Sequence, residues 1–307
     1  MPRYEKWLSG VSVSAATDQV AKTALAERLA AVGHFLDKSI GGSNEGEAIH
    51  QMRVWTRRAQ AALKLFSPAL PNAQLKRMKK LLRKLRRSGG AVRDCDIHLQ
   101  RLQAEEADVP QRIVRTLKKQ RRRVRQELKA LRRRMLNDDR YQRRVERLLE
   151  TIAWPKRHSS REAPGFGAFC KQQLSPLAVQ FLNLASANLR NNDTLHALRI
   201  AGKQWRYAME LAPSIMPARQ HHLLYETLSG IQDRLGEVCD QIAAIDHIHQ
   251  WLDDSRKKSH RERLQGLLER EGRHLERLRS RLLRWWTPAR RRRIRQQWQK
   301  AISPSAR

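Results

Sequence analysis

The sequence predicts an all-α protein, and three observations lead to this fold class. Leu, Ala, Arg, Gln, Glu and Lys, which are good helix formers, dominate the 307 residues. Glycine and proline are grouped at a few breaks rather than spread along the chain. No segment shows the alternation of apolar and polar residues, bounded by turns, that is typical of a β-strand. Hydrophobic residues make up 40% of the chain, which is enough for a packed core.

The N-terminal helices can be bounded in chain order. Apolar residues at helical spacing predict a first helix over 16–38, which a pair of glycines ends. Ser43 or Asn44 can cap the second helix, because a short polar side chain accepts a hydrogen bond from the first turn. This helix is expected to end at about Phe66, just before Pro68.

The middle of the chain predicts further helices and one boundary. Two helices are expected over 73–87 and 91–104, and a long one follows over 110–136. Residues 154–167 are polar and rich in Pro, Ser and Gly, which is typical of a linker. After this linker, a helix is expected over 168–188.

An internal repeat divides the chain into two helical halves. Without any gap, His50 lies 146 residues before His196, and Arg53 lies 146 residues before Arg199. The same offset joins apolar, proline and glycine positions over 45 residues, so we expect two similar modules related by a pseudo-twofold axis. The predicted division is a first half over 16–153, a linker over 154–167, a second half over 168–286 and a basic C-terminal tail over 287–307.

Each half carries a stripe of cations that begins with a histidine. Positions 0, 3, 7 and 10 of a helix lie within about 80 degrees of one another, because one turn takes about 3.6 residues. Cations beside an apolar face should line a groove or pore, where a polyanion or a carboxylate neutralises them. The stripes are His50, Arg53 and Arg57, with Arg58 beside them, in the first half, and His196, Arg199, Lys203 and Arg206 in the second.

A second basic face and two aspartates accompany the stripes. Asp94 and Asp240 match across the repeat, and each is expected either to orient a stripe arginine or histidine or to form an ordinary salt bridge. The second basic face either makes the first half the more positive side of this groove or pore or is simply solvated. It consists of Lys76, Lys80, Arg83, Lys84 and Arg87, whose counterparts are His222, Glu226, Ser229, Gly230 and Asp233.

The charge restricts the class of partner. A formal net charge of +33 and a pI of about 11.4 attract extended polyanions: nucleic acid, anionic membrane surfaces or inorganic polyphosphate. No segment reaches the roughly 18–20 apolar residues of a membrane span. Three isolated cysteines fit a reducing compartment, so a cytoplasmic protein is expected.

The sequence does not predict catalysis, a cofactor or a metal. It contains no phosphate-binding Gly-x-x-x-x-Gly-Lys loop, no Ser/His/Asp set and no paired acidic cluster. His247 and His249 point apart on a helix, which argues against a shared metal ion.

Three motifs resemble those of the CHAD domain, the conserved histidine α-helical domain. They are HQMRVWTRR from His50, RDCDIHL from Arg93 and HALRIAGKQWRYAMEL from His196. The resemblance extends over roughly 16–285 and implies two four-helix bundles around a basic central channel that binds inorganic polyphosphate. It identifies the residues of both stripes as candidate ligands. No Glu-x-Glu-x-Lys signature of triphosphate-tunnel enzymes is present, so a stand-alone CHAD protein is expected.

The function implied by this resemblance is polyphosphate binding without turnover, with polyphosphate granules as the site of action. Arginine can donate to two phosphoryl oxygens at once, lysine supplies a point charge, and histidine donates from a ring nitrogen. The alternative is a nucleic-acid-binding or nucleoid-associated protein that uses the same charge. The chain has no helix-turn-helix, zinc-finger or RNA-recognition motif and only 6% aromatic residues, which leaves nucleic acid as the secondary partner.

Overall fold

The computed structural model describes residues 4–104, 111–154 and 164–302. Over these residues the regular structure is helical, apart from an isolated β-bridge between Ala16 and Gly165, and the all-α prediction is confirmed. None of the described helices is long and apolar enough to cross a membrane. The helices are α1 (Thr17–Lys38), α2 (Glu45–Leu65), α3 (Asn72–Ala104), α4 (Gln111–Leu136), α5 (Arg140–Glu150), α6 (Phe166–Ala185), α7 (Asn192–Met209), α8 (Ala218–Asp253), α9 (Lys258–Trp285) and α10 (Pro288–Ile302).

The chain forms two compact units, and each is assembled from separate segments. Their borders fall inside several helices, including α3, α4 and α6. The division into sequence halves therefore concerns the repeat rather than these units, and it stays a prediction. Most of the linker predicted over 154–167 lies outside the described residues. Unit 1 comprises Met1–Asp94, Arg122–Pro176 and Tyr207–Ala218, and unit 2 comprises Cys95–Arg121, Leu177–Arg206 and Arg219–Arg307.

Helix α3 is one continuous helix of 33 residues, so the prediction of two separate helices over 73–87 and 91–104 is wrong. The glycines that suggested a break, Gly89 and Gly90, are both buried within the helix. A Cβ atom at Gly89 would lie 2.6 Å from Cε of Met52 on α2. The missing side chain thus permits a close approach of α2, and this packing outweighs the roughly 1 kcal/mol by which glycine disfavours a helix.

The break between α4 and α5 has a local cause. Asp138 and Asp139 both adopt a positive φ, of 51° and 50°. Aspartate tolerates this left-handed conformation better than most residues, but the conformation cannot continue a right-handed helix. Helix α5 therefore starts anew at Arg140, a separate helix that the sequence pattern did not predict.

The C-terminal segment predicted as a basic tail contributes to the core of unit 2. It forms α10, in which Ile294 is fully buried and Trp298 is 3% exposed. The Trp298 ring lies edge-on to Trp205 at 5.4 Å between centroids. The two buried residues are four positions apart and share one face of the helix, which leaves the arginines of this segment on its other faces.

Corresponding elements recur at the offset of the predicted repeat. Short 3-10 turns occupy Ser67–Ala69 and Pro213–Ile215, and their first residues are 146 positions apart. The helices after these turns begin at Asn72 and Ala218, again 146 apart. The start of α7 is capped, because Asn191 Oδ1 accepts a hydrogen bond of 2.9 Å from the Thr194 N–H.

Candidate functional site

In unit 1, helices α2 and α3 hold Arg53 between them. Its Nη1 donates to the Gly89 carbonyl at 3.5 Å and lies 3.6 Å from Oδ1 of Asp94. A Cβ atom at Gly90 would lie 3.1 Å from this Nη1, so the guanidinium rests against the backbone of α3. The Arg53 side chain is only 19% exposed, whereas the Asp94 side chain is 60% exposed. Arg53 is therefore held by α3 on one side, and its aspartate partner opens to solvent.

Further arginines crowd around Arg53. The pKa of Arg53 is lowered, first by partial burial and then, against the opposing effect of Asp94, by the charges of Arg57 and Arg86. The pKa of Arg86 is lowered likewise, first by burial and then by three neighbouring cations. We call these residues the arginine cluster: Arg53, Arg57, Arg83, Arg86 and Arg87.

The arginine cluster is under-neutralised. Within the described residues, Arg53 has Asp94 as a partner, and no ion pair is formed by the other four members. Mutually repelling cations, two of them partly buried, raise the free energy of the site until an anion binds. The cluster is thus arranged to accept negative charge.

His50 lies at the edge of this cluster on α2, where it is exposed. The pKa of His50 is lowered, first by partial desolvation; Glu47 raises it, while Arg93, Arg57 and Arg53 lower it further. The imidazole is therefore mainly neutral near pH 7, when it can both donate and accept a hydrogen bond.

Arg58 follows Arg57 directly but has a different partner. Its Nε donates to Oε2 of Glu210 at 2.7 Å, and its Nη2 donates to Oε1 at 3.4 Å. The Glu210 side chain is fully buried, and Arg58 is only 13% exposed. The guanidinium also lies 4.7 Å above the Trp55 ring. The structure therefore places this predicted ligand in a buried ion pair rather than in the arginine cluster.

Lys80 and Lys84 lie on another side of α3 from Arg86. Both line a groove in unit 1, of about 610 Å³, between α3, α4 and α5. The predicted basic face is thus divided: Arg83 and Arg87 neighbour Arg86, whereas the two lysines neighbour α4 and α5.

In unit 2, Arg199 repeats the arrangement of Arg53. Its Nη2 donates to Oδ1 of Asp240 at 3.1 Å, and the aspartate is 65% exposed. The Arg199 Nε is buried and has no hydrogen-bond partner within the described residues. Burial raises the pKa of the Cys239 thiol, whereas Arg199, Lys203 and Arg279 lower it, so these cations surround the thiol.

The other two residues of the second stripe are His196 and Arg206. Arg206 donates from Nη1 to the Tyr225 hydroxyl at 2.7 Å. His196 is exposed on α7. The positions of unit 2 that correspond to Arg83, Arg86 and Arg87 are Ser229, Gln232 and Asp233, so the second site carries fewer cations.

Sequence reasoning missed Arg86 and Arg93. The predicted break at Gly89 obscured the helical spacing of these arginines, which is clear once α3 is continuous. Arg83, Arg86 and Arg87 then lie one, two or three turns before Gly90, Arg93 and Asp94 on one helical surface. Among the described residues, no group of three or more His, Cys, Asp or Glu side chains could hold a metal ion.

Comparisons with known proteins agree with this architecture. The family model described as "CHAD domain" matches residues 23–249. A crystal structure of the CHAD domain from the plant Ricinus communis is similar, with a TM-score of 0.67 and 20% identity, covering 97% of this chain and 96% of that one. A structure of PptA from Streptomyces chartreusis has a TM-score of 0.60 and 15% identity, covering 93% of this chain and all of that one. A search of curated proteins found no match.

Proposed function

The chain belongs to the CHAD-domain family, and on this premise we propose that it binds inorganic polyphosphate. CHAD domains are polyphosphate-binding modules, and a protein with a net charge of +33 is suited to such a ligand. The proposal includes the predicted basic channel lined by both stripes, and polyphosphate granules as the place where the protein acts.

The observation that carries the proposal is the under-neutralised arginine cluster. Four of its five members form no ion pair within the described residues, and one of these four, Arg86, is partly buried. Polyphosphate presents one negative charge per phosphoryl unit along a thin, flexible chain. Successive phosphoryl groups can then receive paired donors from successive guanidinium groups, which is the geometry arginine favours.

The duplicated arginine–aspartate pair supports the same ligand. Arg53 with Asp94 and Arg199 with Asp240 repeat at the offset of 146 residues, and both aspartates are mainly exposed. A linear ligand with repeating chemistry suits a repeated receptor. The exposed aspartates would orient the guanidinium groups, and an anion would approach from the side that the carboxylate leaves open.

We propose binding without hydrolysis. The cluster supplies donors for phosphoryl oxygens, and the carboxylate beside it, Asp94, is engaged by Arg53. Phosphoryl transfer generally needs a positioned nucleophile and bound metal ions in addition to such donors. Incubation with polyphosphate should therefore release no phosphate over the time of a binding experiment.

A competition experiment tests the ligand. Labelled long-chain polyphosphate would be bound to the protein and displaced by unlabelled polyphosphate, duplex DNA or single-stranded RNA at one fixed salt concentration. Polyphosphate should displace the label at the lowest concentration, because a thin chain can reach guanidinium groups held between two helices. Equal or better displacement by duplex DNA would contradict the proposal and favour a nucleic-acid-binding protein.

A further inference from the structure

The groove between α3, α4 and α5 is a second basic surface of unit 1, and the predicted function does not account for it. Only Lys80 and Lys84 of its cations were expected to bind a ligand. Its floor consists of buried apolar residues, among them Leu81 and Leu131. Its rim carries seven cations, which are Arg77, Lys80, Lys84, Arg134, Arg140, Arg144 and Arg147.

The charges of this groove are almost entirely unpaired. Arg140 lies 3.5 Å from Oδ2 of Asp138. Within the part of the chain that the structure describes, none of the other six rim cations forms an ion pair. Arg77, Arg144 and Arg147 are exposed, so their guanidinium groups can reach a ligand without rearrangement of the core. Like charges that converge on one concave surface attract an anion more strongly than the same charges would when dispersed.

The groove is continuous with the arginine cluster around α3. Successive residues of a helix advance by about 100 degrees, so Arg86, Arg83 and Arg87 follow one another around the surface. The same progression leads next to Lys80 and then to Lys84 and Arg77 in the groove. Cations therefore follow one another around about half of the circumference of α3, from the cluster to the groove.

The lining of the groove indicates the kind of polyanion. No aromatic side chain is among the described residues that line it. Proteins that bind single-stranded nucleic acid commonly stack the bases on aromatic rings, and this groove offers none. Five of the seven rim cations are arginines, which suit phosphoryl oxygens. A phosphate chain without bases fits this lining best.

We propose that the groove binds a second segment of the polyphosphate chain whose first segment occupies the arginine cluster. This inference rests on the proposed function and adds a selectivity for chain length. A long chain can follow the cations around α3 and occupy both surfaces, whereas a short chain occupies only one. Affinity should therefore continue to increase with chain length after the chain is long enough to fill the arginine cluster.

Two triple variants of equal charge test this inference. The groove variant is Arg77→Gln, Arg144→Gln and Arg147→Gln. The control variant is Lys22→Gln, Arg122→Gln and Lys129→Gln, which removes three exposed charges of unit 1 that do not line the groove. Each variant is titrated with long-chain polyphosphate, with tripolyphosphate and with single-stranded RNA, and circular dichroism checks that its helicity is unchanged.

The groove variant should bind long-chain polyphosphate about tenfold more weakly than the control variant, which corresponds to about 1.4 kcal/mol. Both variants should bind tripolyphosphate equally well. For the long chain, the slope of log affinity against log salt concentration should be less negative by about 2 in the groove variant, since three phosphate contacts are lost.

The other outcomes separate the two proposals. If the unmodified protein binds no polyphosphate, the proposed function itself fails. If it binds and the two triple variants behave alike, only the groove inference is overturned. If the groove variant lost tripolyphosphate binding as strongly as long-chain binding, the inference would also be overturned, because the groove would then not bind a separate segment of the chain. Loss of single-stranded RNA binding without loss of polyphosphate binding would assign the groove to nucleic acid instead.

Discussion

Two neighbouring arginines of α2 have opposite electrostatic environments. Arg58 meets the fully buried carboxylate of Glu210 at 2.7 Å. Arg28 is also close to Glu210; burial lowers the pKa of Arg28 to about 10, and Glu210 counteracts that shift. Arg57, one residue earlier, instead adds its charge to Arg53 and Arg86. A guanidinium that already has a buried carboxylate stabilises the fold, whereas one surrounded by other cations is available to an external anion.

This comparison shows that the number of cations does not measure binding capacity. The chain has 63 lysines and arginines, and the proposed site uses those for which the fold provides too few carboxylates. An exposed, solvated cation contributes little directional binding because water screens it. A cation held by the backbone in a crowded, partly buried cluster has already lost part of its solvation before the ligand arrives.

The largest expected effect distinguishes the carboxylate of Glu210 from that of Asp94. Glu210→Gln should lower the free energy of unfolding by about 3 kcal/mol, because it leaves Arg58 without its buried carboxylate and removes the charge that offsets the burial of Arg28. Asp94→Asn, a matched change at a largely exposed aspartate, should cost less than about 1 kcal/mol. Urea unfolding followed by circular dichroism measures both. Equal destabilisation would show that the two arginine environments do not differ in this way.

The next effect compares the arginine sites of the two units. Arg53→Ala with Arg57→Ala should weaken polyphosphate binding by at least about tenfold, since each lost charge-assisted contact contributes about 1.5–3 kcal/mol before solvent screening. Arg199→Ala with Lys203→Ala should weaken it less, because fewer cations accompany that site. Titration of each folded variant with long-chain polyphosphate provides the measurement.

The two double variants also test the predicted channel. If both stripes bind one polyphosphate chain, removing cations from either stripe weakens the same binding event. Wild-type affinity in both double variants would mean that the paired stripes are structural, and the functional proposal would then be wrong. Substitution of Arg290, Arg291 and Arg292 in α10 serves as the control and should mainly slow association.

A smaller effect concerns the glycines that lie beside the paired arginines. Gly90→Ala should move the Arg53 guanidinium, because the new Cβ would lie only 3.1 Å from Nη1. At Gly236 the corresponding distance to Arg199 Nη2 is 3.9 Å, an ordinary contact. Gly236→Ala should therefore stabilise α8 by about 0.5–1 kcal/mol without changing affinity, whereas Gly90→Ala should reduce affinity a few-fold. The reverse ranking in a polyphosphate titration would argue against a role for the Arg53 position.

The smallest expected effect is a pH dependence through His50. In the free protein the pKa of His50 lies below its ordinary value of 6.5. A bound polyanion favours the imidazolium and raises this pKa, so binding takes up a proton. Affinity should therefore increase as the pH falls below about 6.5, by a few-fold at most. His50→Gln should flatten that increase, and a profile that overlays the wild-type curve would exclude His50 from the site.

The sequence by itself determined the fold class, and it supplied the polyanion of the proposed function and the central residues of the candidate site. Helix-forming composition and apolar spacing are local properties, and they were sufficient to predict the all-α fold. The offset of 146 residues identified Arg53, Arg199 and their aspartates, because a repeat preserves chemistry at matched positions whatever the packing. Net charge is likewise a sum over residues and needs no coordinates.

Only the tertiary structure decided which cations are available and how the helices meet. Arg57 and Arg58 are both candidate ligands in the sequence, and their environments differ because Glu210, 152 residues after Arg58, is buried against Arg58. The Gly89–Gly90 pair resembles a helix break in the sequence, but in the structure these glycines lie inside α3, where Gly89 leaves room for the Met52 side chain. Lys80 and Lys84 join a groove because α4 and α5 pack beside them. Each of these outcomes depends on contacts between residues distant in the chain, and local periodicity carries no information about such contacts.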